Sequence, residues 1–290
     1  MKEYDFVFSL GFSCGTSQAL RAAGLQFASY PLDWVGAHDI LCSVQAVETD
    51  FVGWLDADDL ELSDVRHGVG FLTRAYLNRR TQIGFSHEFS DFQPFATMLP
   101  KVRDSYERRA DRFRETLRMS RRILAVWAEP PMNVAPAMSA YREALSRLRA
   151  KLAPAEVDLI AFFESPGCGA PHETASGEGL TVVAADYRKM DGGVLTHFVD
   201  FQQFEAYLRP RVSTRDPRTE EERKSYARST RTNSTLRWGA DKTRFRRWLN
   251  QRAYKLYRHL ERVLQRRGLV QTEGPLWFWE DLRQAAEAVK

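Results

Sequence analysis

The residue whose position most favours chemistry is Cys14, which follows a short apolar run and a glycine. The run at 6–10 ends at Gly11, and residues 16–23 have the apolar spacing of a helix that ends at Gly24. A thiol between a strand and a helix N-terminus lies near unpaired N–H groups and the positive end of the helix dipole. Because both stabilise a thiolate, we expect a lowered pKa and a nucleophilic sulfur, with N–H groups able to hold an oxyanion. The alternative is a small, inert residue of the core.

Glycines and polar residues near this thiol could bind its substrate. Gly11 and Gly15 have no side chains, so the backbone and a substrate can approach each other closely there. Arg109 and Arg112 are three residues apart on one face of a predicted helix and could hold a carboxylate or phosphate. The alternative for the arginines is a structural network with neighbouring acids. The predicted substrate-binding residues are Gly11, Ser13, Gly15, Trp34, Arg109 and Arg112.

Composition argues against several other kinds of site. The chain has three cysteines, too few and too scattered for a disulfide scaffold, and no cysteine or histidine spacing typical of zinc. A glycine-rich stretch at 165–169 lacks the residues of a phosphate loop or a dinucleotide fingerprint. We therefore predict no metal site and no cofactor.

Charge is distributed unevenly along the chain. The net charge is +4, yet residues 209–267 contain nineteen Lys or Arg against six Asp or Glu, a local charge of +13. Such a region could meet an anionic membrane surface or an anionic glycan, or its arginine stems could simply cover apolar surface. It carries no recognised nucleic-acid-binding motif, so we predict no specific nucleic acid partner.

Hydropathy bears on the expected location. No window approaches the roughly 18 consecutive apolar residues of a membrane-spanning helix. The N-terminus lacks the charged, apolar and cleavage regions of a signal peptide. We expect a cytoplasmic protein, with peripheral attachment to the inner membrane surface as an option.

The order of predicted elements favours an α/β fold. Continuous apolar runs at 123–128, 157–163 and 180–185 are typical of buried strands, and helical patterns lie between such runs. This alternation predicts a three-layer α/β sandwich with a mainly parallel central sheet, whose carboxyl edge would hold ligands. The predicted parts are an α/β catalytic-type domain at 1–208, a polar linker or loop at 209–240, and a basic helical C-terminal extension at 241–290.

Several segments resemble one bacterial family, labelled "putative papain-like cysteine peptidase" and largely uncharacterised. The segments that carry the resemblance are SLGFSC at 9–14, LRAAGL at 20–25, SYPLDW at 29–34, FSHEF at 85–89 and YERRADRF at 106–113. The resemblance covers about residues 4–130. Members usually have Phe where this chain has Leu32, which is a mild departure.

The resemblance implies a cysteine nucleophile with a histidine partner. On this sequence these would be Cys14 and His87, which we place at the end of a strand-like segment, at the rim of a sheet. A third group would orient the imidazole, and Asp33 and Asp91 are the candidates, with Glu88 a weaker one. Asp33 could equally cap a helix or pair with a buried arginine. His87 could equally be a structural histidine.

Three functions stay open at this point. The first is a papain-like cysteine peptidase, or a related thiol-dependent acyl hydrolase or transferase, acting on a peptide, acyl or glycan substrate. The second is an acyl-modifying enzyme of cell-surface polysaccharide synthesis, because the entry from strand to Cys14 also resembles the nucleophile block of SGNH-type hydrolases. Those enzymes take their histidine from a late Asp-x-x-His block, and neither His172 nor His197 has that spacing. The third is a binding protein without enzymatic activity.

Overall fold

A computed structural model gives the structure of most of the first 215 residues. It describes 1–63, 73–90, 94–130, 138–191, 194–199, 202–215, 219–221 and 224. The predicted extension at 241–290 and most of the predicted linker at 209–240 lie outside the described residues. Contacts divide the chain into two compact units. The first is Met1–Leu62, Tyr76–Ser86 and Leu99–Asp216, and the second is Ser63–Ala75, His87–Met98 and Pro217–Lys290.

The described part of the chain contains thirteen β-strands and five α-helices. The strands are β1 Lys2–Tyr4, β2 Phe6–Ser9, β3 Val35–Ala37, β4 Leu60–Leu62, β5 Thr73–Asn78, β6 Ile83–Ser90, β7 Arg122–Ala128, β8 Glu156–Glu164, β9 His172–Gly177, β10 Leu180–Ala185, β11 Arg188–Asp191, β12 Val194–Val199 and β13 Val212–Thr214. The α-helices are α1 Cys14–Ala22, α2 Ile40–Glu48, α3 Phe95–Met119, α4 Met138–Leu152 and α5 Gln202–Leu208. Short 3-10 turns lie at Pro31–Trp34 and Ala57–Asp59.

A mostly parallel five-stranded sheet forms the centre, in the order β2-β7-β8-β10-β9. β2, β7, β8 and β10 pair in parallel, and only β9 is antiparallel to its neighbour. The apolar runs are continuous because both faces of these strands are buried, as in β7 after its first residue. The α/β class and the mainly parallel sheet predicted from the sequence are confirmed.

Helices contact both faces of this sheet. On one face, Leu124 and Phe162 share a core with Leu20 of α1 and Phe204 of α5. On the other, Phe6 and Phe8 point the opposite way from Val7 and meet α3. The Phe113 ring lies 5.5 Å and 5.1 Å from theirs. The helix α1 that begins at Cys14 is thereby seated against the central sheet.

In some α/β folds a ligand binds in a crevice where the order of the parallel strands reverses, and the strand order of this sheet is different. Among the described parallel strands, β2, β7, β8 and β10 lie side by side in chain order, with β2 at one end. A crevice of that type forms where the strand order reverses. Among the described strands of this sheet, the β2–α1 junction therefore lies at the end of the sheet and not at such a reversal.

A second, antiparallel sheet was not predicted as a separate unit. Its order is β3-β6-β5-β4. β5 and β6 are neighbours in this sheet, and β6 extends to Ser90. His87 therefore lies inside a strand, and its expected place at a strand end was wrong. Helix α3 begins at Phe95 and contains Pro100.

The described helices do not have both the length and the hydrophobicity of a membrane span. None of them is both long enough and apolar enough to cross a membrane.

Candidate active site

The turn between β2 and α1 has an unusual backbone. Gly11 has φ +95° and Phe12 has φ +63°, both in the left-handed region. The Gly11 N–H donates to Ser9 Oγ at 3.0 Å, and Thr16 Oγ1 donates to the Gly11 carbonyl at 3.3 Å. A Cβ at Gly11 would lie 3.3 Å from the Leu32 carbonyl oxygen. The turn is thus held by hydrogen bonds at both ends and needs a glycine at its first residue.

Cys14 is the first residue of α1, which begins two residues earlier than the predicted helix at 16–23. Ser13 is the N-cap, and its Oγ accepts a hydrogen bond from the Gly15 N–H at 3.3 Å. The Cys14 side chain is partly buried. Burial raises the pKa of the thiol above its ordinary value of 9.0, and a hydrogen bond from the residue's own N–H opposes this less strongly. The direction is opposite to the one expected from the helix N-terminus alone, because burial outweighs the helix end.

Asp33 is fully buried beside α1. Its Oδ2 accepts hydrogen bonds from Arg21 Nη2 at 2.9 Å, Gln26 Nε2 at 2.7 Å and the Tyr30 N–H at 2.8 Å. Burial raises the pKa of Asp33, while Arg21, these donors and the charge of Arg109 lower it. The predicted alternative of an aspartate that pairs with an arginine is what these contacts show.

Ser17 connects the Asp33 segment with Cys14. Its Oγ lies 3.1 Å from the Cys14 carbonyl oxygen and 3.3 Å from the Asp33 carbonyl oxygen, and it can donate to either. Trp34 follows Asp33 and is partly buried. The centre of its ring lies 5.1 Å from the guanidinium carbon of Arg21. The structure therefore brings together Ser13, Cys14, Gly15, Asp33 and Trp34 around the first two turns of α1.

Arg109 and Arg112 both have contacts within the protein. Arg112 Nη2 and Nε donate to the Ser29 carbonyl oxygen at 2.9 Å and 3.3 Å. Arg109 is buried, with its guanidinium carbon 4.5 Å from the ring centre of Tyr106. These contacts favour the structural alternative, and the predicted role in holding a substrate anion stays a prediction.

The other candidates for the catalytic machinery are described less fully. The backbone of His87 lies in β6, and its side chain lies outside the described part of the chain. Asp91 also lies outside the described residues. Their predicted roles as base and orienting acid stay predictions. His172 is described, on the exposed strand β9, with its Nδ1 3.4 Å from the Ala170 carbonyl oxygen.

Two features of the described residues, one at a helix N-terminus and one after a strand, were not found by sequence reasoning. Asp39 is the N-cap of α2 and accepts from the Cys42 N–H at 2.8 Å, so a second cysteine also lies in a first helical turn. Its sequence signal, an aspartate before an apolar helical pattern, was available. Glu129, directly after β7, is buried with its Oε1 2.5 Å from Trp127 Nε1, and no periodic pattern marks it.

Within the described ranges, no group of three or more His, Cys, Asp or Glu side chains is arranged to hold a metal ion. The site described here consists of a thiol, backbone amides and an aspartate paired with arginine.

Comparison with known proteins gave one match. Residues 5–161 match the model of a family described as "Putative papain-like cysteine peptidase (DUF1796)". This span is more than half of the chain and includes Cys14, Asp33 and His87. Searches of curated proteins and of solved structures found no match. The chain therefore belongs to the family described as putative papain-like cysteine peptidases.

Proposed function

We propose that this protein is a thiol-dependent acyl hydrolase or transferase of the papain-like kind, with Cys14 as nucleophile and His87 as general base. One observation carries the proposal. Cys14 is the first residue of α1, directly after the left-handed turn at Gly11 and Phe12, within the span that matches the family. This position places a thiol in the first turn of a helix, where the backbone amides have no partner within the helix.

The raised pKa of Cys14 determines how the thiol would act. Because burial raises this pKa above 9.0, the resting group at neutral pH is the protonated thiol. A protonated thiol is a weak nucleophile, so attack requires a base that removes its proton. The proposed mechanism therefore uses general-base activation in preference to a permanent thiolate.

The proposed reaction has two steps. The imidazole of His87 takes the proton as Cys14 Sγ attacks the substrate carbonyl carbon, and helix amides hold the resulting oxyanion. Collapse breaks the bond to the leaving group, which takes the proton from the imidazolium and leaves a thioester on Cys14. Water or a second acceptor then attacks the thioester, with the imidazole again as base, and the thiol is restored.

The family match supports the choice of His87. His87 lies in β6, two residues beyond Phe85, which pairs with Val35 of β3. It falls within residues 5–161, which match the family.

The test is turnover by matched variants on a panel of small substrates. The panel contains fluorogenic peptides, p-nitrophenyl acyl esters and acetylated sugars, the last covering an acyl-modifying role in polysaccharide synthesis. We expect Cys14→Ser and His87→Ala to abolish a turnover that Cys42→Ser retains. Activity that survives in Cys14→Ser, or no turnover of any substrate by the folded wild type, would contradict the proposal.

A further inference from the structure

The segment at Pro31–Trp34 is attached to α1 at two levels. One attachment is the side chain of Asp33, which accepts from Arg21 at 2.9 Å. The other is the main chain of Asp33, whose carbonyl oxygen lies 3.3 Å from Ser17 Oγ. Ser17 and Arg21 are four residues apart, so they lie one above the other on the same face of α1. Two attachments one turn apart fix both the translation and the rotation of the helix.

These attachments reach the first turn of α1 directly. Ser17 Oγ lies 3.1 Å from the Cys14 carbonyl oxygen as well as near that of Asp33. Cys14, Ser17 and Arg21 therefore share one side of the helix, and Asp33 lies against that side. Because Ser17 contacts both segments, a shift of the Asp33 segment would also shift the first turn of α1, which carries the thiol.

Asp33 itself is held firmly. It is fully buried, and a single oxygen, Oδ2, accepts from Arg21, Gln26 and the Tyr30 N–H. Three donors on one carboxylate oxygen fix the side chain, since each lost hydrogen bond would leave a buried polar group unpaired. A residue that is fixed this well can transmit its own position to the helix.

We propose that Asp33 is a positioning residue for the Cys14 thiol, acting through Ser17 and Arg21 on the first two turns of α1. This inference extends the proposed function and rests on it only for the catalytic role of the Cys14 thiol. In this proposal, the segment that Asp33 anchors covers the sulfur at rest. Loss of the attachments would expose the sulfur and bring its titration closer to that of a free cysteine.

The experiment measures alkylation of each cysteine by iodoacetamide across pH, mapped by mass spectrometry. Asp33→Ala removes the acceptor, Asp33→Asn keeps an oxygen that can accept the same three hydrogen bonds, and Ser17→Ala removes only the second attachment. We expect Asp33→Ala to lower the midpoint pH of Cys14 and to raise its rate near pH 7.5 at least about threefold. Ser17→Ala should have a smaller effect in the same direction, and Asp33→Asn should restore most of the wild-type profile.

Cys42, Cys168 and the variant Asp39→Asn serve as controls. Asp39 caps α2 and raises the pKa of Cys42, so Asp39→Asn should lower the midpoint of Cys42 and leave Cys14 unchanged. Unchanged Cys14 profiles in both Asp33→Ala and Ser17→Ala would overturn the proposal. A parallel shift of Cys14 and Cys42 in Asp33→Ala would also overturn it, since it would indicate general loosening. If Asp33→Ala does not fold, the test is the comparison of the Cys14 alkylation profiles of Ser17→Ala and Asp33→Asn.

This readout separates two kinds of failure. Alkylation needs no catalytic turnover, so a protein without hydrolase activity can still show that Asp33 covers the thiol. Conversely, a Cys14-dependent turnover with an Asp33-independent alkylation profile would keep the proposed function and remove Asp33 from it.

Discussion

Two helices of this protein begin with a cysteine in the first turn, and their surroundings differ. Cys14 is the first residue of α1, behind the neutral cap Ser13. Cys42 is the third residue of α2, behind the charged cap Asp39. Burial raises both pKa values, and the Asp39 carboxylate further raises that of Cys42 to about 11. A helix N-terminus alone therefore does not make a reactive cysteine, because burial and the capping residue decide how the thiol titrates.

The connections into the two helices also differ. Gly11 and Phe12 lead into α1 with left-handed backbones, whereas His38 and Asp39 lead into α2 without positive φ angles. The first connection follows a strand of the central sheet, and the second follows β3 of the antiparallel sheet. The N-terminus of α1 thus combines a neutral cap with a constrained turn, and it is where we propose that the nucleophile lies.

The largest expected effect separates the two thiols by function. Replacing Cys14 with Ser should lower turnover by about a thousandfold or more, because the attacking sulfur is lost. Replacing Cys42 with Ser should leave turnover within about twofold, since the proposed mechanism does not use its thiol. The measurement is steady-state hydrolysis of whichever ester or peptide the wild type accepts. Equal losses in both variants would remove the distinction between the helices.

The second prediction concerns the constrained turn. Gly11→Ala should destabilise the protein by about 2–3 kcal/mol, since a Cβ there meets both a left-handed φ and the Leu32 carbonyl oxygen at 3.3 Å. Gly24→Ala is the matched control, with φ +75° and no atom within 4 Å of the added Cβ. It should cost only about 1 kcal/mol. Urea unfolding gives both values, and similar losses would show that Leu32 does not constrain the turn.

The third prediction exchanges the caps. Ser13→Asp should raise the pKa of Cys14 further, and Asp39→Ser should lower that of Cys42, because a nearby carboxylate disfavours a thiolate. Each change should alter the alkylation rate near pH 8 by about threefold to tenfold, in opposite directions. If Asp39→Ser leaves Cys42 as unreactive as before, burial alone accounts for its pKa.

The smallest predicted effect concerns how α2 is anchored. Arg147 of α4 donates to both carboxylate oxygens of Glu48, at 2.9 Å and 2.5 Å, and this lowers the pKa of Glu48 below 4.5. The stabilisation is therefore present above pH 4.5 and is lost as the pH falls through the lowered pKa. Glu48→Gln should reduce stability near pH 7 by about 1 kcal/mol, or about 2–4 °C in melting temperature. At a pH below the lowered pKa the two proteins should melt alike.

A more exposed ion pair provides the control for that prediction. Glu156→Gln breaks the contact with Arg122, in which both side chains are more than half exposed. It should leave the melting temperature unchanged within about 1 °C. A pH-independent loss in Glu48→Gln would mean that packing, and not the ion pair, accounts for its effect.

The sequence was most informative where burial leaves a continuous apolar pattern. The runs at 123–128, 157–163 and 180–185 correspond to β7, β8 and β10. The antiparallel sheet was missed as a unit because its first strand, Val35–Ala37, has three residues and too little alternation to detect. Long buried elements carry their own pattern, whereas short ones depend on partners that are distant in sequence.

Only the part of the site that a local sequence pattern reveals was predicted. Cys14 could be identified because its strand, glycine and helix are adjacent in sequence. The attachment of Asp33 to Arg21 and Ser17 depends on packing between separate segments, which no local pattern reveals. The direction of the Cys14 pKa was wrong because the dipole of a helix can be read from the sequence, while the burial of a thiol cannot.

The most direct test of the central claim is where an acyl group becomes attached. The wild type is incubated with p-nitrophenyl acetate at about pH 7.5, quenched in acid and mapped by mass spectrometry. The account predicts a transient acetyl group on Cys14 that Cys42 and Cys168 do not acquire, and that disappears in His87→Ala. Acetylation of Cys14 no faster than that of Cys168, with no dependence on His87, would contradict it.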